Sequence, residues 1–371
     1  MKSQTLFAGA RLALLASIVL PAALCADPDS HVYTSSNAVD GNRIMVFDRS
    51  GSGRLTLANS FPTGGKGTGA GLGSQSAVAI SSKGDWLLAV NAGSDELSVF
   101  AITRDALVLT DVVPSGGKRP ISVTIDHNLV YVLNNGGAVG AQDGLAGFFL
   151  SADGRLKAIP NSTRPLSSAN VGPAQVAFTS SGNAVVVTEK NTALIDSYSV
   201  DDQGLLGDLV VTPSSGATPF GFAAGPRDRI YVSEAFGGAA QQSAVSSYQV
   251  LNNAHLSVLS ASVPTRQTSA CWVSLARDAR FAYASNTGSD SITGYAISSD
   301  GKLSRLRADG FSAHTGKAPA DSAVTTDQRF IYCLNGGDGS LSGFAIAHDG
   351  SLTSVETQSG IPIGAAGLAA R

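Results

Sequence analysis

One unit of about 45–55 residues recurs seven times along this chain, a period in the range of propeller arrays. Each unit holds a small apolar strand, a polar turn, and a second apolar strand that ends in Asn or Glu. A loop follows, then an amphipathic third strand carrying an aromatic, a tight turn and a last strand. The second strands read HVYTSSN, WLLAVN, LVYVLN, AVVVTE, RIYVSE, FAYASN and FIYCLN. The third strands read RIMVFD, ELSVFAI, LAGFFL, LIDSYSV, AVSSYQV, SITGYAI and SLSGFAI. SITGYAI and SLSGFAI alternate with period two, which argues for strands and not helices. Asp153-Gly154, Asp300-Gly301 and Asp349-Gly350 mark hairpins, since Asp-Gly supplies the positive φ that a two-residue turn requires. A unit this small cannot bury its own faces. The expected fold is therefore all-β: a seven-bladed propeller of four-stranded antiparallel blades sharing one ring-shaped core.

The two ends of the chain sharpen this reading. Apart from its leader, the sequence enters at a second strand, HVYTSSN, while the tail IPIGAAGLAA matches the first strands of other units. The tail is expected to supply the inner strand of blade 1 and close the ring, which removes two open sheet edges. Residues 1–26 read as a secretory signal: Lys2 and Arg11 precede an apolar run from Leu12 to Leu24 that is too short to span a bilayer. The propeller is then expected over residues 27–371, secreted or periplasmic and monomeric, with no transmembrane segment. Leu24 before Cys25 is too bulky for the usual lipid-anchor signal. Cys271 and Cys333 sit in apolar strand patterns and read as buried free thiols.

Composition excludes other classes. Charged residues make up 14% of the chain against 42 glycines. That is poor material for disorder or coiled coils. A formal net charge of −3 leaves no electrostatic footprint for nucleic acid.

In a propeller the start of the first strand and the end of the second lie on one face. That face is expected to carry Asn37, Asn91, Asn134, Glu189, Glu234, Asn286 and Asn335, together with the connectors from each outer strand to the next inner one. The connectors bring Lys66, Lys118, Arg119, Gln175, Thr218, Arg266, His314 and Lys317. Asn suits a turn after a strand because it tolerates positive φ and bonds its own backbone. Glu189 and Glu234 break the Asn series, so they are the candidates for acid/base work. Arg119, Arg266, His314, Lys317, Asn91, Asn286 and Asn335 are the candidates for holding a ligand. No cofactor is required. Ca²⁺ is open as a ligand of the Asn and Glu oxygens, although no linear calcium motif is present. The segment GGKGTGAGLGSQ is Gly-rich but lacks the spacing and the following helix of a phosphate loop. His127, His255 and His348 fall in turns of the opposite face.

AVAISSKGDWLLAVNAGSDELSVF and the Asp-Gly hairpins resemble the seven-bladed lactonase family, which includes 6-phosphogluconolactonase and 3-carboxy-cis,cis-muconate cyclase. The likeness runs from about His31 to Ala370. It implies lactone chemistry on one propeller face, with a Glu one blade after a His and with arginines nearby. Glu234 in YVSEAFG matches the Glu. The His position falls at Ala174, the Arg-His pair near Thr218-Pro219, and a further Arg near Thr287, so those groups are absent from their usual places. Three readings follow. The first is a small-molecule site acting on a lactone or carbohydrate-type ligand, with Glu234 as acid/base. The second is a non-catalytic binding propeller, and the third a Ca²⁺-dependent hydrolase. No nucleic-acid partner is expected.

Overall fold

Second strands such as Ala184–Glu189 and Phe330–Asn335 are buried at every residue, because each sheet has a neighbour on both faces. Outer strands such as Leu107–Pro114 have only one neighbour and are mostly exposed or half-buried. Seven antiparallel sheets result among the described residues, six of them consecutive four-strand meanders, and two of these gain a short extra outer strand, Arg164–Pro165 and Ala313–His314. This is the seven-bladed propeller that the repeats predict. It is seen in a computed structural model that describes Met1, residues 26–104 and residues 106–371. The expected signal segment and Cys25 lie outside the described residues. No helix among the described residues is long and apolar enough to cross a membrane.

Blade 1 takes its inner strand from the carboxyl terminus. Ala366–Ala370 pairs antiparallel with Ala26–Ser35, whose partner on the other side is Arg43–Ser50. The expected closing strand is thus present but shorter than the IPIGAAGLAA run. Ile361 is instead buried between blades, and Leu368 and Ala365 pack with Val32, Tyr332 and Leu334. Thr34 donates to the Gly367 carbonyl, and Leu368 donates its amide to Asp321 of blade 7 at 3.1 Å. The last strand therefore ties the first blade to the seventh.

The repeated Tyr of the second strand staples neighbouring blades. Tyr131, Tyr283 and Tyr332 donate to the carbonyls of Gly204, Gly350 and Gly53 at 2.7, 2.8 and 2.6 Å. Each acceptor is the glycine of the next blade's hairpin. At Gly350, φ is +84°, and a Cβ would stand 2.6 Å from the Phe281 ring. Both the turn and the blade contact therefore exclude a side chain there. Cys271 and Cys333 are buried and free, as their strand setting predicts.

Candidate functional site

Five inner strands begin with a register shift, after Pro120, Pro173, Pro219, Ala270 and Pro319. A bulge re-aims the side chain that follows it. In blades 5, 6 and 7 the residues after the shift are Phe220, Cys271 and Ala320, and they gather with Ala235 and Trp272 into one small apolar cluster. The Phe220 and Trp272 rings lie 5.2 Å apart, inclined by 58°. This cluster marks the mouth of the central channel on the face that the topology singles out.

The glycine-rich connector of residues 64–75 is bonded to blades 1 and 2 over residues 65–70, and its end, Gly73 to Gln75, crosses that mouth. Ser74 donates to the Ile121 carbonyl of blade 3 at 2.7 Å, and the indole of Trp272 in blade 6 donates to the Ser74 carbonyl at 3.1 Å. The Gln75 side chain donates to the Val273 carbonyl at 2.9 Å and accepts from the Val273 amide at 3.2 Å. Its backbone amide donates to the Ala174 carbonyl of blade 4 at 3.1 Å. One residue at the start of blade 2 is thus tied to blades 4 and 6 across the ring. Gly221 makes room for it, since a Cβ there would stand 2.1 Å from the Gln75 Oε1. The segment that looks like a failed phosphate loop is a channel plug.

Lys190 reaches the plug from the loop after the second strand of blade 4. Its Nζ lies 4.6 Å above the Phe220 centroid and donates to the Gly73 carbonyl at 2.6 Å. Burial lowers its pKa from 10.5 to about 8; Cys271 and Asp143 raise it in part, while Arg119 adds to the lowering. Burial pushes the Cys271 thiol up to about 11, so it is no nucleophile at neutral pH. Arg119 stands in the left-handed region at φ +54°, its amide held by Asp95 at 2.7 Å. Its Nε is buried with no hydrogen-bond partner among the described residues. The mouth therefore brings together two cations and an aromatic pair that Lys190 and the plug cover.

The other expected residues divide. Arg119 is brought to the mouth. Arg266 and Lys317 are exposed, and the Lys317 amide is tied to Asp338 at 2.8 Å. His314 is exposed at the outer edge of blade 6, where it pairs with Ser291 in the sheet and packs on Phe311 at 4.5 Å. Its connector starts at the rim and travels inward only afterwards, so the expectation of His314 as a ligand group does not hold.

Asn91, Asn286 and Asn335 also depart from the ligand-binding expectation: all three are fully buried. Asn91 donates to Ser98 at 2.7 Å, Asn286 to Thr293 at 3.0 Å, and Asn335 to Ser342 at 2.9 Å, each within its own blade. The second strand's end points between the sheets and not into the channel.

The same geometry seals Glu189 and Glu234, both 0% exposed. Glu234 accepts from the Gly216 amide at 2.9 Å and from the Ser246 and Ser262 hydroxyls at 2.5 and 2.6 Å. Burial still raises its pKa despite those donors. Glu189 accepts from the Ser167 amide and hydroxyl at 3.1 and 2.6 Å and from Thr192 at 2.6 Å. It lies beside buried Asp196, whose pKa is raised by burial and by the Glu189 carboxyl. Neither Glu reaches solvent, so the expected acid/base role at an open face is not what their placement serves.

Lys190, Phe220, Trp272 and Gln75 are the residues that the repeats did not single out. Lys190 carries a legible signal: the equivalent positions are Ala38, Ala92, Asn135, Ala235, Thr287 and Gly336, so it is the one charge in that series. Among the described residues no cluster of three or more His, Cys, Asp or Glu could hold a metal ion. The Asn and Glu oxygens lie in separate blades and do not converge.

Residues 40–136 and 222–323, together more than half of the chain, match the family described as "Lactonase, 7-bladed beta-propeller". No curated protein matches the sequence. Among solved structures, the periplasmic gluconolactonase of Pseudomonas aeruginosa is 16% identical, with a TM-score of 0.67 over 91% of this chain and 98% of that one. A protein from Lactobacillus plantarum is 17% identical, with a TM-score of 0.68 over 92% and 99%. A functionally unknown protein from Desulfotomaculum acetoxidans is 14% identical, with a TM-score of 0.70 over 92% and 98%. At these identities the structural likenesses carry the fold.

Proposed function

The chain belongs to the seven-bladed β-propeller lactonases, and on that premise we propose that it binds a small lactone or carbohydrate-type ligand at the plugged channel mouth. The observation that carries this reading is Lys190, a half-buried ammonium of lowered pKa seated on Phe220 beside Trp272. Aromatic faces suit the C–H faces of a sugar ring, and the unpaired Arg119 donor suits a carbonyl or carboxylate oxygen. Gly73 caps Lys190, so a ligand enters only when the connector shifts. Residues 65–70 are bonded to blades 1 and 2, so the shift falls to the stretch from Gly71 to Gly73, where glycine leaves the backbone adaptable.

Ring opening is the reaction this arrangement can support. Neutral Lys190 takes a proton from water as the water oxygen bonds to the lactone carbonyl carbon. Arg119 offsets the charge that develops on the carbonyl oxygen. The carbonyl–ring oxygen bond then breaks, and the proton passes from Lys190 to the departing ring oxygen, giving a hydroxy acid. The general base must be neutral, so kcat/KM is expected to rise as the pH passes through about 8. The leader pattern supports action outside the cytoplasm, where non-phosphorylated lactones are the more accessible substrates.

The sealing of both Glu carboxylates favours a second reading, binding without turnover. One experiment separates the two: a panel of sugar and aromatic lactones assayed for hydrolysis and for binding, with Lys190→Met as control. Hydrolysis lost in the variant supports the first reading. Saturable binding with no hydrolysis in the unaltered protein supports the second. Neither binding nor hydrolysis refutes both.

A further inference from the structure

We propose that the groove between blades 5 and 6, on the face opposite the channel plug, is a second binding site that takes a small oxyanion, a carboxylate or phosphate group. A cavity of about 400 Å³ opens there, and Arg227, Arg229, Arg280, Tyr231, Asp278 and Ser299 help to line it. The turns joining the first and second strands of both blades meet the hairpin of blade 6 at this point. Arg227 and Arg229 both reach the Ser299 carbonyl, at 3.4 and 2.9 Å. Two guanidinium groups thus converge on one neutral oxygen.

The acids that could neutralise them are turned away or too few. Asp228 points to blade 4, where it accepts from the Ser180 hydroxyl and the Ser181 amide at 3.1 and 2.8 Å. Asp278 is the single carboxylate lining the cavity, against three arginines. The Nε of Arg229 is buried with no hydrogen-bond partner among the described residues. An excess of positive charge here runs against the chain's net charge of −3. The backbone is unusual as well. Arg227 and Asp228, and Arg277, Asp278 and Ala279, stand at positive φ in succession, where the matching turns of blades 2, 3, 4 and 7 have one such residue each, Gly84, His127, Gly182 and Gln328. Such strain in residues with side chains gathers at sites that clamp ligands. Guanidinium forks match the geometry of carboxylate and phosphate oxygens, and an oxyanion would satisfy the unspent donors.

The test is calorimetric titration of the full chain with inorganic phosphate and, separately, with succinate, at ionic strength held constant with chloride. Saturable binding is expected, weakened roughly tenfold or more in the double variant R227A/R280A. Lys190→Met, at the other face, should leave it unchanged, which keeps this site distinct from the channel mouth. Arg229 is left intact because its stem packs where a Cβ on Gly301 would stand, 2.9 Å away. The ligand-free double variant should keep the Tm of the unaltered protein. No saturable binding of either anion, or equal binding by the double variant, overturns the proposal. A double variant that melts well below the parent without anions would assign the arginines to holding the blades and overturns it too.

Discussion

Glu189→Gln should stabilise this protein, and more so at alkaline pH. In the folded chain Glu189 and Asp196 lie together in blade 4, and the Asp196 Oδ1 has no hydrogen-bond partner among the described residues. Burial and the neighbouring carboxyl raise the Asp196 pKa, so the native state holds a proton that the unfolded chain releases near pH 4. Between that pH and the raised value the native state binds more protons, so stability falls as the pH rises through the window. Each unit of the raised pKa corresponds to about 1.4 kcal/mol. Gln can keep the oxygen that accepts from the Ser167 and Thr192 hydroxyls and turn an N–H towards the Asp196 Oδ1; the Ser167 amide that it gives up still donates to the Asp196 Oδ2 at 3.0 Å. Satisfying one buried acceptor is worth about 1–3 kcal/mol, and removing one of two buried like charges adds to it. A Tm gain of several degrees at pH 8 and little gain at pH 4 is the expected result. Thermal melts of both proteins at pH 4, 6 and 8 measure it. A variant that loses stability equally at all three values would refute the reasoning, because the carboxyl would then act as a hydrogen-bond acceptor alone.

Leu368→Ala should cost about 2–5 kcal/mol, since the side chain is 5% exposed and its strand closes the ring. Urea unfolding that leaves the midpoint unchanged would mean that the terminal strand frays freely. Gln75→Ala should cost about 1–3 kcal/mol by stranding the Val273 amide and carbonyl. It should also speed amide exchange in residues 64–75, read by mass spectrometry. Cys271 and Cys333, buried and with raised pKa values, should resist a thiol reagent until the chain unfolds. Prompt labelling of either would contradict their burial. Millimolar Ca²⁺ should leave the Tm unmoved, because the Asn and Glu oxygens sit in separate blades; a clear rise would reopen the calcium reading.

The polar residue ending each second strand shows how far the repeats can be read. Its position on the ring is legible, because strand order follows from local periodicity and turn chemistry. Its direction is not. A proline stands at four of the five bulges that start the inner strands, yet it does not encode whether the facing Glu234 turns to the channel or into its own blade. Asn91, Asn286 and Asn335 serve structure through buried bonds to Ser and Thr of the third strand, whereas Asn37 stands at positive φ as a turn residue and Asn134 bonds Ser115. His314 misleads for a related reason: a connector's sequence position does not tell how far inward it has travelled.

By itself the sequence determined the seven blades, the hairpins and the closing strand, and it pointed to the lactonase family. These rest on contacts between neighbouring strands, where alternation and turn residues act over a few positions. Only the tertiary structure decided which side chains meet at the channel mouth. Gln75 bonds Val273, 198 positions away, and Lys190 reaches Gly73, 117 positions away. A closed ring brings distant repeats face to face across its axis, and no local pattern encodes which of their side chains will touch.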